Sequence, residues 1–130
     1  EIDVEDLTKH KMDSDLISVD TEAVQLVNKA KAEGRRICAV GTSVQRVLET
    51  ATLTGGMLKE YDGWTNKFIF PEYEFHVANC MIANFYAPYS TMLMLTTAFG
   101  GYDNVMNAYQ VALDEGYRFG LYGDAMLIID

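Results

Sequence analysis

The chain has 130 residues, about half of them hydrophobic (49%), with 10 Lys and Arg against 19 Asp and Glu for a formal charge of −9. That length holds one core and not two, and so apolar a composition excludes an intrinsically disordered chain. The acidic balance repels phosphate backbones, which excludes nucleic-acid binding by bulk charge unless basic groups are clustered or come from another segment.

Taken in order, residues 1–13 are polar, with Val4 and Leu7 as inward anchors and His10 near the end, where a lone His reads as a surface group. Ser14 to Val19, with Leu16 and Ile17, reads as a strand. Asp20 or Thr21 then caps a helix carrying Ala23, Val24, Val27 and Ala30, and Gly34 supplies its left-handed stop. Ile37 to Val40 is a short apolar run bounded by Gly34 and Gly41, so it reads as a buried strand. Gly41, Thr42 and Ser43 form the turn after it. Val44, Val47, Leu48 and Ala51 recur at helical spacing, closed by Gly55 and Gly56.

The alternation of strand and helix in this half predicts a parallel sheet covered by helices. From Gly56 to Asn66 the chain reads as a loop containing Tyr61 and Trp64. Phe68 to Phe70 reads as a short strand stopped by Pro71, followed by a second at Phe75 to Val77 or Cys80 to Ala83, together an antiparallel excursion. Pro88 ends any strand, and Ser90 caps a helix from Thr91 that is apolar nearly all round and therefore buried on most sides. Its methionines read as core filler. Gly100 and Gly101 break it, a further helix runs from near Asp103 to Gly116, and a small-residue turn at Gly120 to Asp124 leads into a final strand, Ala125 to Ile129, apolar enough to be central.

Cys38 and Cys80 each lie in an apolar run and read as buried thiols of a reducing compartment, with no Cys or His at metal-ligand spacing. The longest apolar stretch, Met92 to Phe99, is too short to span a bilayer, and no signal peptide is visible; the expectation is a cytoplasmic chain without a membrane partner.

Two turns at strand ends could carry chemistry. At the first, the opening backbone N–H groups of the second helix are left unpaired beside the hydroxyls of Thr42 and Ser43, with Arg46 one turn on, where an anionic or polar group could dock. An ordinary N-cap explains the same residues, since the glycine fingerprint of a dinucleotide site or P-loop is absent. At the second, Asp124 could serve as base, ligand or turn-former, and Arg118 could grip an anion or pair with Asp114 or Glu115. His10 and His76 have no distinctive surroundings, so no catalytic triad is indicated.

In order along the whole chain, these stretches resemble the S-adenosylmethionine:tRNA ribosyltransferase-isomerase family of queuosine biosynthesis. The resemblance rests on Ala39-Val40-Gly41-Thr42 with Arg46, Leu48 and Glu49; Gly63-Trp64-Thr65, Phe68-Ile69 and Pro71; and Asn84-Phe85, Pro88, Ser90-Thr91 and Leu93-Met94-Leu95. It continues through Ala98-Phe99, Asn107-Ala108-Tyr109, Tyr117-Arg118-Phe119 and Tyr122-Gly123-Asp124-Ala125-Met126. It implies a single α/β domain over residues 1–130, mostly parallel sheet flanked by helices, forming the C-terminal part of a larger enzyme whose upstream portion includes an inserted β-barrel.

Such an enzyme transfers the ribosyl part of S-adenosylmethionine, a co-substrate, onto the aminomethyl group of a 7-deazaguanine in the tRNA anticodon and rearranges it to an epoxycyclopentanediol. The resemblance implies no metal and no prosthetic group, and it names no catalytic residue. It moves Gly41, Thr42, Ser43 and Arg46 toward a substrate-binding site, with Asn84, Phe85, Ser90 and Thr91 as a second wall, Tyr122 and Asp124 from the last turn, and His10. Departures from the family pattern are Asp13 and Tyr86 where histidines are usual, and Val44, Gln45, Glu72, Ala87 and Gly120-Leu121. They leave two competing readings: a divergent relative acting on another S-adenosylmethionine or nucleoside substrate, or a noncatalytic binding module.

Overall fold

The structure, a computed structural model, describes residues 14–120 and 122–129. His10 and Asp13 lie outside them. In chain order the elements are β1 (Asp15–Val19), α1 (Thr21–Ala32), β2 (Cys38–Val40), α2 (Thr42–Thr50), β3 (Tyr61–Thr65), β4 (Cys80–Asn84), α3 (Thr91–Gly100), α4 (Tyr102–Asp114) and β5 (Ala125–Ile129). Local chemistry sets the helix ends. The Asp20 carboxylate accepts the Ala23 amide at 2.9 Å to start α1, and Gly34, at φ 69°, lets the chain turn out of it.

Among the described residues five strands form two small sheets, β1 with β3 and β2-β4-β5 in that order. The sheet is mixed, not mostly parallel: β2 and β4 run parallel, whereas β1–β3 and β4–β5 are antiparallel. The reason lies in the connection after β4. Two helices, α3 and α4, separate β4 from β5, and Asn84 lies opposite Ala125, so the chain re-enters the sheet at the end from which it left. A single crossover helix would have returned it to the far end as a parallel strand. β5 is consequently an edge, and β4 is the central strand.

The segment between α2 and β4 also differs from the sequence expectation. Tyr61 to Thr65 is a strand, with Thr65 buried and Asp62 and Trp64 turned outward, and it pairs with β1 so that Leu16 faces Trp64. Phe68 to Phe70 is not a strand. It is irregular chain whose Ile69 is buried beside Met81, Ala83 and Leu95. Of the two alternatives for the following strand, Cys80 to Ala83 is the one that forms, and it pairs parallel to β2 rather than making an antiparallel excursion.

Alternation divides the three-stranded sheet into two unlike faces. Ala39 and Met81 are buried, and the clusters they belong to include Leu48 of α2 and Leu95 of α3. Phe85, Leu93, Val105, Tyr109 and Ala112 complete the packing around α3 and α4. On the other face, Val40, Ile82 and Leu127 stand in register across the three strands and are 64%, 37% and 58% exposed. One side of the sheet is therefore covered and the other carries an apolar row in the open.

Cys38 and Cys80 are register partners on that sheet, both free thiols, with their sulfurs 3.0 Å apart. Both sulfurs lie on the same face, but Cys80 is buried on the central strand β4 whereas Cys38 is exposed on the edge strand β2. The Cys80 thiol hydrogen-bonded to Cys38 pushes the Cys38 thiol above its ordinary range.

Candidate functional site

β2 and β4 are parallel neighbours, and each feeds a helix from its C-terminal end: β2 through Gly41 into α2, and β4 through residues 85–90 into α3. Ligands in α/β sheets collect at such ends, where helix N-termini gather. Here the first turns of both helices meet across a cavity of about 60 Å³. Thr42, Ser43 and Arg46 of α2 and Thr91 of α3 supply its polar lining, and Phe68, Ile69, Met92 and Leu95 its apolar walls. The irregular 66–70 segment thus acts as one wall of this cavity.

The two helix starts differ. On α3, the Ser90 hydroxyl accepts the Leu93 amide at 3.1 Å and donates to the Ala87 carbonyl at 2.8 Å, so the start is capped. Replacing Ser90 by Ala should lower stability by about 1 kcal/mol, read as a shift in the urea midpoint; an unchanged midpoint would show that the cap contributes nothing. On α2 the N-cap is Gly41, at φ 96°, and no side chain caps the turn. Its leading amides therefore have no side-chain cap, unlike those of α3.

Arg46 is held in a fixed pose. Its Nε donates to the Lys67 carbonyl at 3.1 Å and its Nη1 meets the Asp15 carboxylate at 2.5 Å, while the side chain is only 12% exposed. The remaining nitrogen, Nη2, is buried and has no partner among the described residues. Gln45, the preceding residue, is wholly buried, and both atoms of its amide also lack partners among the described residues.

The other residues proposed from sequence sit differently. Asn84, Phe85 and the Tyr122–Asp124 turn lie at the same end of the sheet as Gly41, as the Asn84–Ala125 pairing requires, but they are not among the residues lining this cavity. Phe85 is buried, edge-on to Tyr109 and Tyr117 and tilted against Phe119. Ser90 is the buried cap of α3. Asp124 accepts the Arg118 amide at 2.8 Å and closes the turn, and Tyr122 projects into solvent at 95% exposure. Gly123 is required there, since a Cβ would lie 2.5 Å from the Arg118 carbonyl oxygen.

Sequence reasoning missed Glu49. Its side chain is fully buried on the inner face of α2, where one carboxylate oxygen accepts the Tyr73 hydroxyl at 2.9 Å and the other the amides of His76 and Val77 at 3.0 and 3.2 Å. The His76 Nδ1 lies 2.9 Å from the same oxygen as Tyr73. His76 is therefore not without distinctive surroundings. Burial first, and the Glu49 contact second, push the Tyr73 hydroxyl well above its usual range. This buried carboxylate fastens residues 73–77 to α2. The spacing of Val44, Val47, Leu48 and Ala51 places the apolar face on the other side of α2, so periodicity gave no signal for Glu49.

Among the described residues no group of three or more His, Cys, Asp or Glu could hold a metal, and no helix is long and apolar enough to cross a membrane. What fold and cavity define is a mixed α/β domain with a polar site at the C-terminal ends of two parallel strands. The chain belongs to the queuosine biosynthesis protein family, whose family model matches residues 1–128. It is 65% identical over all 130 residues to an S-adenosylmethionine:tRNA ribosyltransferase-isomerase of Bacteroides fragilis and 66% identical to that of Phocaeicola vulgatus, covering 37% of each. The crystal structure of an S-adenosylmethionine tRNA ribosyltransferase from Thermotoga maritima superposes with a TM-score of 0.82 at 44% identity, over 88% of this chain and 40% of that one. The chain thus spans little more than a third of the length of the curated relatives it matches.

Proposed function

We propose that this chain is the C-terminal part of the main domain of an S-adenosylmethionine:tRNA ribosyltransferase-isomerase, acting in the cytoplasm on tRNA. The reaction is transfer of the ribosyl moiety of S-adenosylmethionine to 7-aminomethyl-7-deazaguanine in the anticodon, with isomerisation to epoxyqueuosine. The observation that carries it is 65% identity across the whole chain to a relative of that name. The uncovered apolar row of Val40, Ile82 and Leu127 supports the placement within a longer polypeptide, because so large an apolar strip is normally buried. The formal charge of −9 is accommodated if the remaining portion provides the basic surface for tRNA.

In this reading S-adenosylmethionine is a co-substrate, and no prosthetic group or metal takes part. Gly41, Thr42, Ser43, Arg46 and Thr91 hold substrate polar groups, with Asn84, Phe85, Ser90, Tyr122 and Asp124 shaping the surrounding strand ends and His10 contributing from the segment before β1. The 130-residue chain alone is expected to be inactive. The test incubates the family-length protein carrying this chain with S-adenosylmethionine and tRNA bearing the aminomethyl-deazaguanine. Release of adenine is the expected result, and its absence removes the proposal.

A further inference from the structure

We propose that Cys38 and Cys80 form a redox-responsive dithiol, which a small disulfide of the glutathione class converts to a cross-strand disulfide that ties β2 to β4. The pair sits where both strands begin, at the opposite end of the sheet from the candidate site, and its chemistry does not depend on the transferase reading.

The chain's two cysteines stand 42 positions apart, yet the parallel pairing of β2 with β4 makes them register partners with their sulfurs 3.0 Å apart. Neighbouring strands run about 4.8 Å apart, inside the Cα separation that a disulfide spans, so the strands need neither slide nor part for the bond to close. Both thiols are free. Among the described residues no group of three or more His, Cys, Asp or Glu could hold a metal, so the pair is not half of a metal site.

The two sulfurs are unequal in a way that sets the order of events. With Ile129 the cysteines make the row at the rim of the sheet's uncovered face. Cys38, on the edge strand, is open to a small reagent, whereas Cys80, between β2 and β5, is buried. The Cys80 thiol donating to Cys38 pushes the Cys38 thiol up, so at rest the pair is a neutral dithiol until an oxidant arrives. The Cys38 sulfur gives up its proton and attacks the small disulfide, whose S–S bond breaks to release one small thiol and leave a mixed disulfide on Cys38. Cys80 then gives up its proton and attacks the Cys38 sulfur, displacing the second small thiol. Two protein thiols are oxidised, one small disulfide is reduced to two thiols, and each departing thiolate takes up one proton. The new bond closes a loop that contains α2 and β3, and excess thiol reopens it.

The test incubates the reduced family-length protein with oxidised glutathione in mildly alkaline buffer, blocks the remaining thiols and digests with trypsin in the absence of reductant. The expected product is a linked pair of peptides, residues 37–46 and 68–118, two hydrogens lighter than the sum of the free peptides and separated by dithiothreitol. Cys80→Ala should leave Cys38 carrying one glutathione in place of the link. In Cys38→Ser, the buried Cys80 should take up glutathione more slowly than Cys38 does in Cys80→Ala, by about tenfold or more. No linked pair, or a linked pair only after urea unfolds the protein, overturns the proposal. So does a Cys38 that stays unmodified in Cys80→Ala, or equal rates at the two cysteines.

Discussion

Glu49→Ala should cost about 3–5 kcal/mol of stability, the largest loss expected from any single polar substitution in this chain. The carboxylate is fully buried and satisfies the Tyr73 hydroxyl together with the His76 and Val77 amides. Its removal leaves those donors facing a void, each carrying a desolvation penalty of about 1–3 kcal/mol that relaxation recovers only in part. Glu49→Gln keeps the volume and one acceptor oxygen but turns an amide donor toward other donors, so it should cost about half as much. Urea denaturation of wild type and both variants measures this. A loss below about 1 kcal/mol for Glu49→Ala would mean that the carboxylate does not hold residues 73–77 in place. Because the same stretch follows Phe68 and Ile69 in the chain, loosening it should also open one wall of the cavity beside Arg46.

That carboxylate shows where sequence reading reaches its end. Features written within a few residues were legible. Asp20 before Thr21, Ser90 before Thr91, and the passage from Cys38–Val40 through Gly41 into α2 all formed where local chemistry put them, because caps and glycine turns act over a single turn. Partners distant in sequence were not legible. Glu49 meets residues 24 to 28 positions away, so nothing around it in the chain announces its role. Tyr61 to Thr65 resembled a loop because Asp62 and Gly63 are turn-formers, and only pairing with β1 makes them a strand. The direction of β5 depended on two helices, not one, intervening after β4. In the candidate site, Thr42, Ser43 and Arg46 could be grouped from helical spacing, whereas the facing wall from Phe68 and Ile69 was masked by their strand-like composition.

Arg46→Ala in the family-length enzyme should lower kcat/KM for S-adenosylmethionine or tRNA by about 10- to 100-fold, the equivalent of one or two hydrogen bonds from a charged donor. Arg46 is 12% exposed and tied to Asp15 and the Lys67 carbonyl, so its loss also touches the fold. Its stability cost is nonetheless modest, about 1–2 kcal/mol, because Asp15 is more than half exposed and can return to water while one backbone carbonyl loses a partner. A folded variant with poor turnover is therefore the expected outcome. How the loss divides between the kinetic constants identifies what the side chain does. A group that holds a bound substrate oxyanion equally in ground and transition states raises KM and leaves kcat nearly unchanged. Arg46→Lys keeps the charge but cannot reach Asp15, the Lys67 carbonyl and the cavity at once, so it should resemble Arg46→Ala in KM more than wild type. Unchanged KM values for both substrates in both variants would show that Arg46 holds no substrate at all.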